Sequence, residues 1–277
     1  MKFSTTIQKD KIDSIAIGGF DGLHIAHQYL LSHLSPLGAL IVIEKKAPFA
    51  LTPDLVRCKY STFPCIFLDF DAIKNDTAVE FITFLKKEFP CVQKVIIGYD
   101  FRFGKHRQGD AKLLKELYDG EIIVIEEQSI DGISIHSKEI KEMLYRGQIS
   151  KANKLLGRPY EVSGEVISGQ GLGKKELFAT FNIQTGRFLL PKEGVYVTKT
   201  KIDQTWFSSV SFIGKRVSTD GEFSVETHIL DKQKFDNVKN IDIAFYDFIR
   251  ENRKFDTLEL LKKQISKDIA QTKAFFH

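Results

Sequence analysis

Several features that mark special classes of protein are scarce or missing in the 277-residue chain. Cysteine is rare: Cys58, Cys65 and Cys91 are odd in number, and no pair has the spacing of a metal knuckle. That excludes a disulfide framework and points to free thiols in a reducing cytosol. No stretch is long and apolar enough to cross a bilayer, and the opening MKFSTTIQKDKID lacks the apolar centre of a signal peptide. Lys plus Arg number 40 against 36 for Asp plus Glu, a net charge of +4 with no long basic run. So modest an excess argues against nucleic acid as a partner. Internal repeats and low-complexity tracts are absent. What remains is a chain that is 43% hydrophobic and 27% charged. It is expected to be a cytoplasmic globular protein without a membrane partner, with one large or two modest domains.

The two halves differ in pattern. In the first, short apolar runs alternate with helical periodicity. Ile12–Gly18, Ala39–Ile43, Cys65–Asp69, Lys94–Gly98 and Glu121–Ile125 read as strands, and His24–Leu34 and Ala78–Phe89 as helices. Near-continuous apolar strands alternating with helices predict a parallel sheet covered on both faces, a Rossmann-like α/β domain. From Leu155–Tyr160 onward the segments read as strands between turns: Tyr160–Ser168, Gly194–Lys201, Trp206–Gly214, Phe223–Leu230 and Ile241–Ile249. A helix follows from about Thr257 to Phe275. This predicts a small antiparallel β-barrel with a C-terminal helix. The expected domains are residues 1–155 and 156–277.

Gly18-Gly19-Phe20-Asp21-Gly22-Leu23-His24-Ile25-Ala26-His27 follows the first strand directly. Glycines in such a turn admit a ligand close to the backbone. A helix beginning near His24 turns its free amides toward that ligand, and His24 and His27 share one face of its first turn. Two imidazoles beside a helix start suit a polyphosphate, since they can donate to oxygens that gain charge during attack on an α-phosphate. Zinc ligation and an ordinary pair of surface histidines are the competing readings; zinc needs a third ligand and none stands nearby, and the turn glycines and the preceding strand weigh against a mere surface pair. In Gly98–Asp110 (GYDFRFGKHRQGD), glycines again permit a tight loop, Arg102, Lys105 and Arg107 bring cations, and Tyr99, Phe101 and Phe103 can pack against rings.

GGFDGLHIAH resembles the GxFDGxHxGH signature of the nucleotidylyltransferase superfamily, in the form found in bacterial bifunctional riboflavin kinase/FAD synthases. GYDFRFGKHRQGD is similar to that family's GxDFxFGxxRxGD segment, and the resemblance runs in order along nearly the whole chain. It implies an FMN adenylyltransferase domain that uses Gly18, Gly19, Phe20, Asp21, Asp100, Arg102, Ser137 and Lys141 to bind nucleotide, with His24 and His27 catalytic. Departures from the pattern are Ala26 for the glycine between the histidines, and His136-Ser137-Lys138-Glu139-Ile140-Lys141 for SSTxIR, with lysines for the threonine and the arginine. The segment around Glu44–Pro48 is also altered.

The second half resembles the riboflavin kinase domain of the same family. Leu155–Tyr160 is similar to its opening segment. Gly169, Gly171, Gly173 and Lys174 form a glycine-lysine loop that suits phosphate. Ala179-Thr180-Phe181-Asn182 stands where the family carries PTAN, and Thr180 and Asn182 offer hard oxygens for Mg²⁺. Phe212-Ile213-Gly214 and Val225–Asp231 resemble NIG and ExHLLD. Glu226 interrupts an apolar alternation and is expected to point into the barrel, a costly place for a carboxylate without a task. The resemblance implies that it is the general base toward the ribityl hydroxyl of riboflavin. Arg250 and Phe255, in the segment similar to RxExKF, are candidate flavin contacts. The implied substrates are riboflavin, FMN and ATP, with FMN the intermediate. A kinase whose first half has lost adenylyl transfer, and a non-catalytic flavin-binding regulator, stay open as alternatives.

Overall fold

Ser14 to Gly18 is apolar on both sides, and it forms the centre of a sheet rather than an edge. The computed structural model describes residues 8–167, 180–215, 223–231, 235 and 237–277, which fall into two compact units dividing between Ser137 and Lys138. The first unit runs β1 (Ser14–Gly18), α1 (Ile25–Leu31), β2 (Ala39–Glu44), β3 (Cys65–Asp69), α2 (Phe70–Ile73), α3 (Ala78–Glu88), β4 (Lys94–Gly98), α4 (Ala111–Leu117), β5 (Glu121–Ile125) and the small hairpin β6 (Ser129–Ile130)–β7 (Ile133–Ser134). The five long strands lie in the order β3-β2-β1-β4-β5, and all their pairings are parallel. Alternate residues feed separate cores on the two faces. Ile15, Ile17, Ile41, Val95 and Ile97 pack with α3 and α4 on one, while Ala16, Leu40, Val42 and Ile96 pack with Leu30, Leu31 and Leu34 on the other. Two-sided burial is why these strands lack a polar stripe.

Chain order reverses between β1 and β4. In such sheets the crevice outside the carboxyl ends of the strands at that switch is where ligands bind. The loops after Gly18 and Gly98 both open there.

α1 is shorter than the predicted His24–Leu34. It stops at Leu31, and Leu34 reaches the core from the following turn. Pro36 disfavours helical geometry at Ser35, and Ser35 instead receives its own hydrogen bond, its amide donating to Ser14 Oγ at 2.9 Å. α4, absent from the periodicity reading, starts where the Asp110 carboxylate accepts from the Leu113 amide at 2.9 Å.

The second unit holds α5 (Ser137–Tyr145) from its second residue onward, α6 (Ile149–Leu156), β8 (Tyr160–Ile167), β9 (Phe181–Gln184), β10 (Gly194–Ile202), β11 (Thr205–Lys215), β12 (Phe223–Ile229), β13 (Asn240–Arg250) and α7 (Leu258–Phe276). The compact units divide eighteen residues before the compositional change at residue 155, because α5 and α6 go with the barrel. Asn153 of α6 donates to the Phe245 carbonyl on β13 at 2.8 Å and accepts from the Tyr160 amide on β8 at 2.8 Å. Gly157, left-handed at φ 75°, ends α6.

The six strands close into an antiparallel barrel in the order β10-β11-β12-β9-β8-β13. Its interior is not purely apolar. Thr198, Thr200, Ser209, Ser211 and Thr227 are fully buried and join in a ring. The steps are Thr198–Ser209, Ser209–Thr200, Thr200–Thr227 and Ser211–Thr198 at 2.8 Å, and Ser211–Thr227 at 2.9 Å. Each hydroxyl can donate once and accept once around the cycle, so burial leaves none unsatisfied.

Candidate active sites

In the sheet unit, β1 ends at Gly18 and the chain turns through Gly19–Leu23 before α1. Phe20, Gly22 and Leu23 adopt positive φ of 50°, 86° and 37°, and the two non-glycines are conformations that surrounding bonds must hold. Those bonds come from Thr52, whose hydroxyl accepts from the Gly22 amide at 2.8 Å and whose amide donates to Asp21 Oδ1 at 3.0 Å. Ser137 adds a third, its hydroxyl donating to the Asp21 carbonyl at 2.7 Å. Ser137, which the resemblance assigns to nucleotide binding, therefore ties down the loop. A methyl group placed on Gly19 would meet nothing within 4 Å, so the loop backbone lies open on that side.

His24 is the N-cap of α1, its Nδ1 accepting from the His27 amide at 3.3 Å. The two imidazoles stack at 3.6 Å between centroids and 14° between planes. The Phe20 ring is buried in the core and meets His27 edge-on at 5.1 Å. Burial, then the charges of His24, Arg57 and His136, holds His27 well below the ordinary value of 6.5. It is therefore a neutral imidazole at pH 7, and its buried Nδ1 has no hydrogen-bond partner.

The second loop divides its residues between structure and surface. Phe103 and Gly109 exchange amide hydrogen bonds at 3.0 and 2.9 Å. A methyl group on Gly109 would lie 2.7 Å from the Phe103 ring, so only glycine fits. Phe101 and Phe103 belong to the core under α3 and α4, which leaves Tyr99 as the exposed aromatic. Asp100 and Arg102 are exposed, and Arg102 donates to the Phe101 carbonyl at 2.9 Å.

Two groups beside this loop pair escaped the motif reading. Arg57, 4% exposed, lies in the 3-10 turn Asp54–Tyr60 and forms an ion pair with Glu44 at the end of β2. His136 Nε2 contacts Glu127 Oε1 and the Tyr99 hydroxyl, each at 3.1 Å, and Tyr99 donates to Glu127 at 2.9 Å. His136 opens the segment similar to SSTxIR but has no role assigned there, and Arg57 carries no local signal. Arg57 stands thirty residues from the histidines in a segment without glycines.

In the barrel unit, Asn182 of β9 and Phe212 of β11 flank Glu226 of β12 in register. Directly opposed residues share a face, so Asn182 and Glu226 stand side by side. The inward residues of β12 are Val225, Thr227 and Ile229. Glu226 alternates away from them and looks outward, contrary to the expectation that it points into the barrel; the period-2 geometry gave the interior to Thr227 instead. The Ser224 hydroxyl donates to Glu226 Oε1 at 3.0 Å. Asn182 Oδ1 is buried without a partner, and Thr180, two residues earlier, is exposed. The expected phosphate-loop residues Gly169, Gly171, Gly173 and Lys174 lie outside the described residues.

Arg250 directs its guanidinium at Asp268 of α7, with Nε 3.1 and 3.0 Å from the two carboxylate oxygens and Nη2 at 2.8 Å. Asp268 is 3% exposed and also accepts from Gln264 at 2.8 Å. Phe255 lies under the guanidinium groups of Arg250 at 5.7 Å and Arg253 at 4.7 Å. The Arg250–Asp268 pair ties the last helix to β13.

Family models match both units: riboflavin kinase over residues 156–276 and FAD synthetase over residues 44–139. The chain is 31% identical to the bifunctional riboflavin kinase/FMN adenylyltransferase of Buchnera aphidicola, covering 95% of this chain and 94% of that one. It is 30% identical to the proteins of the same description from Haemophilus influenzae, over 95% and 94%, and Escherichia coli, over 95% and 92%. A crystal structure described as a macrolide-efflux protein from Streptococcus pneumoniae superposes with a TM-score of 0.84 at 26% identity, covering 95% and 94% of the two chains. Among the described residues no helix is long and apolar enough to cross a membrane. Sequence, both family models and fold agree along the chain's length: it belongs to the bifunctional riboflavin kinase/FMN adenylyltransferase family.

Proposed function

We propose that the barrel unit transfers the γ-phosphoryl group of ATP to riboflavin, giving FMN and ADP. The sheet unit then joins FMN to the AMP part of a second ATP, giving FAD and pyrophosphate. Family membership over the full length supports both activities. The observation that carries the site assignment is the pairing of Asn182 with Glu226 on one outward barrel face, separate from the stacked His24 and His27 of the other unit.

In the kinase step Glu226 is the general base. Its carboxylate accepts the proton of the ribityl hydroxyl as that oxygen attacks the γ-phosphorus and the β–γ bridging oxygen leaves with ADP. Ser224, two residues earlier on the same strand, orients one carboxylate oxygen by its hydrogen bond. Mg²⁺ fits the same face: the orphaned Oδ1 of Asn182 and the Thr180 hydroxyl are hard oxygen donors, and the remaining ligands come from phosphates and water. Bound there, Mg²⁺ neutralises phosphate charge.

In the adenylyl-transfer step the FMN phosphate, already anionic, needs no base. His24 and His27 orient the triphosphate beside the open backbone of Gly18 and Gly19 and stabilise the charge that grows on the α-phosphate oxygens. Because His27 is neutral at pH 7, it acts as a hydrogen-bond donor and not as a cation. Tyr99, Asp100 and Arg102 border the same crevice and complete the nucleotide side.

The test is incubation with riboflavin, ATP and Mg²⁺ followed by separation of products. FMN together with FAD is expected; FMN alone identifies a kinase whose adenylyl transfer is lost. Glu226→Gln lowers FMN formation roughly 10²–10⁴-fold while FAD formation from supplied FMN continues. Kinase turnover near the unaltered rate in that variant removes Glu226 from the role.

A further inference from the structure

A polyphosphate brings several negative charges into the crevice at the carboxyl edge of the sheet, yet the neutral His27 contributes none in return. A permanent cation stands next to it. Arg57 lies on the segment from Thr52 to Tyr60, which is stapled to the histidine loop at both ends. Thr52 bonds to Asp21 and Gly22 at 3.0 and 2.8 Å, and the Tyr60 carbonyl accepts from Gln28 of α1 at 2.9 Å. Between the staples, the guanidinium is almost wholly buried. Its Nη atoms face Glu44, while its Nε is buried with no hydrogen-bond partner. The His27 Nδ1 is orphaned as well, and the Arg57 charge acts directly on that imidazole.

An unpartnered donor on a buried guanidinium is costly to maintain. The two Nη atoms already meet the Glu44 carboxylate two bonds to two, so the ion pair is complete and Nε is the donor left over, on a segment fastened to the histidine loop at both ends. Glu44 ends β2, the neighbour of β1, so the whole assembly is fixed to the strands that carry the loop. The other charges around it are also accounted for: His24 is committed as the N-cap, and His136 is paired with Glu127.

We propose that Arg57 is a positioning residue of the adenylyl-transfer site, supplying the fixed positive charge against which the phosphates that leave as pyrophosphate are held. The proposal rests on the adenylyltransferase reading of the sheet unit. Glu44 holds the guanidinium in place and offsets part of its charge, so the pair sets how tightly pyrophosphate is retained as well as how ATP is seated.

The reverse reaction, FAD plus pyrophosphate giving FMN plus ATP, isolates this contact, because pyrophosphate is then a separate substrate whose affinity is read on its own. The double change Arg57→Gln, Glu44→Gln removes both charges and strands neither. It is expected to raise the KM for pyrophosphate roughly tenfold or more, to flatten its dependence on salt concentration, and to leave riboflavin phosphorylation unchanged. Arg57→Lys restores part of the affinity, because charge without the planar fork is a partial substitute. Glu44→Gln alone lowers the KM several-fold by unmasking the charge, and it decides the matter if the double variant does not fold. An unchanged KM and salt dependence in either Gln variant overturns the proposal and leaves the site reading standing. An unaltered protein that makes no ATP from FAD and pyrophosphate overturns that reading and this inference with it.

Discussion

The hydroxyl ring inside the barrel allows a prediction in which the order of two effects is worked from geometry. Ser211 donates to Thr227, so donation around the ring runs from Ser211 to Thr227, Thr200, Ser209, Thr198 and back to Ser211. Thr200→Val removes the acceptor of Thr227, and no other ring hydroxyl is placed to accept from it, so one fully buried O–H is left over. Ser211→Ala removes the acceptor of Thr198, but Thr198 then donates to the Ser209 carbonyl, already within reach at 3.0 Å, and Ser209, Thr200 and Thr227 keep their acceptors. An unsatisfied buried group costs about 1–3 kcal/mol, against about 0.5–1.5 kcal/mol for the net loss of a satisfied bond. Thr200→Val should therefore destabilise the barrel more than Ser211→Ala, by about 1 kcal/mol. Trp206, the one tryptophan in the chain, lies on β11, so its fluorescence during urea unfolding reports on the barrel unit. Equal midpoints for the two variants, or a larger loss in Ser211→Ala, would refute the donor count.

Three other outcomes are expected. The folded pKa of His27 is lowered, so between that value and its unfolded 6.5 the unfolded chain binds more protons; stability is complete above about pH 6.5 and is lost as pH falls. Acid titration of the sheet unit followed by circular dichroism should show this loss, and His27→Gln should flatten it; an unaltered acid slope in the variant contradicts the assignment. Arg250→Ala leaves the Asp268 carboxylate buried beside Gln264 alone, a loss of about 3–5 kcal/mol that hydrogen exchange should register as early opening of α7; full protection of that helix would show the ion pair to be dispensable. The double change His24→Ala, His27→Ala should abolish FAD formation from FMN while FMN formation continues, and FAD made at the ordinary rate would dissociate the histidines from phosphate chemistry.

The elements that follow from local pattern were legible without coordinates. Apolar runs such as Cys65–Asp69 and Lys94–Gly98 are strands with those bounds, because two-sided burial demands an unbroken apolar run. The period-2 segments of the second half likewise became β10–β13, and the paired histidines and the Thr180–Asn182 pair could be picked out by motif, since each pair is close in sequence, whereas the meeting of Asn182 with Glu226 is made by strand register. Periodicity missed α4, a seven-residue helix that starts at its Asp110 cap and packs Leu113, Leu114 and Leu117 against the sheet.

Other features depend on which distant residues meet. The side of the barrel that Glu226 faces was settled by register: Thr227 took the interior because four other hydroxyls were there to satisfy it. Arg250 was legible as a cation but not as the partner of Asp268, eighteen residues away on another element. Arg57 had no motif at all, and it gains meaning only because Thr52 and Tyr60 fasten its segment to the histidine loop. Local sequence determines which backbone shape each segment prefers and which chemistry it carries. Whether a charge is buried, paired or left with a spare donor is a property of the packed chain, because it depends on the desolvation and partners that packing imposes.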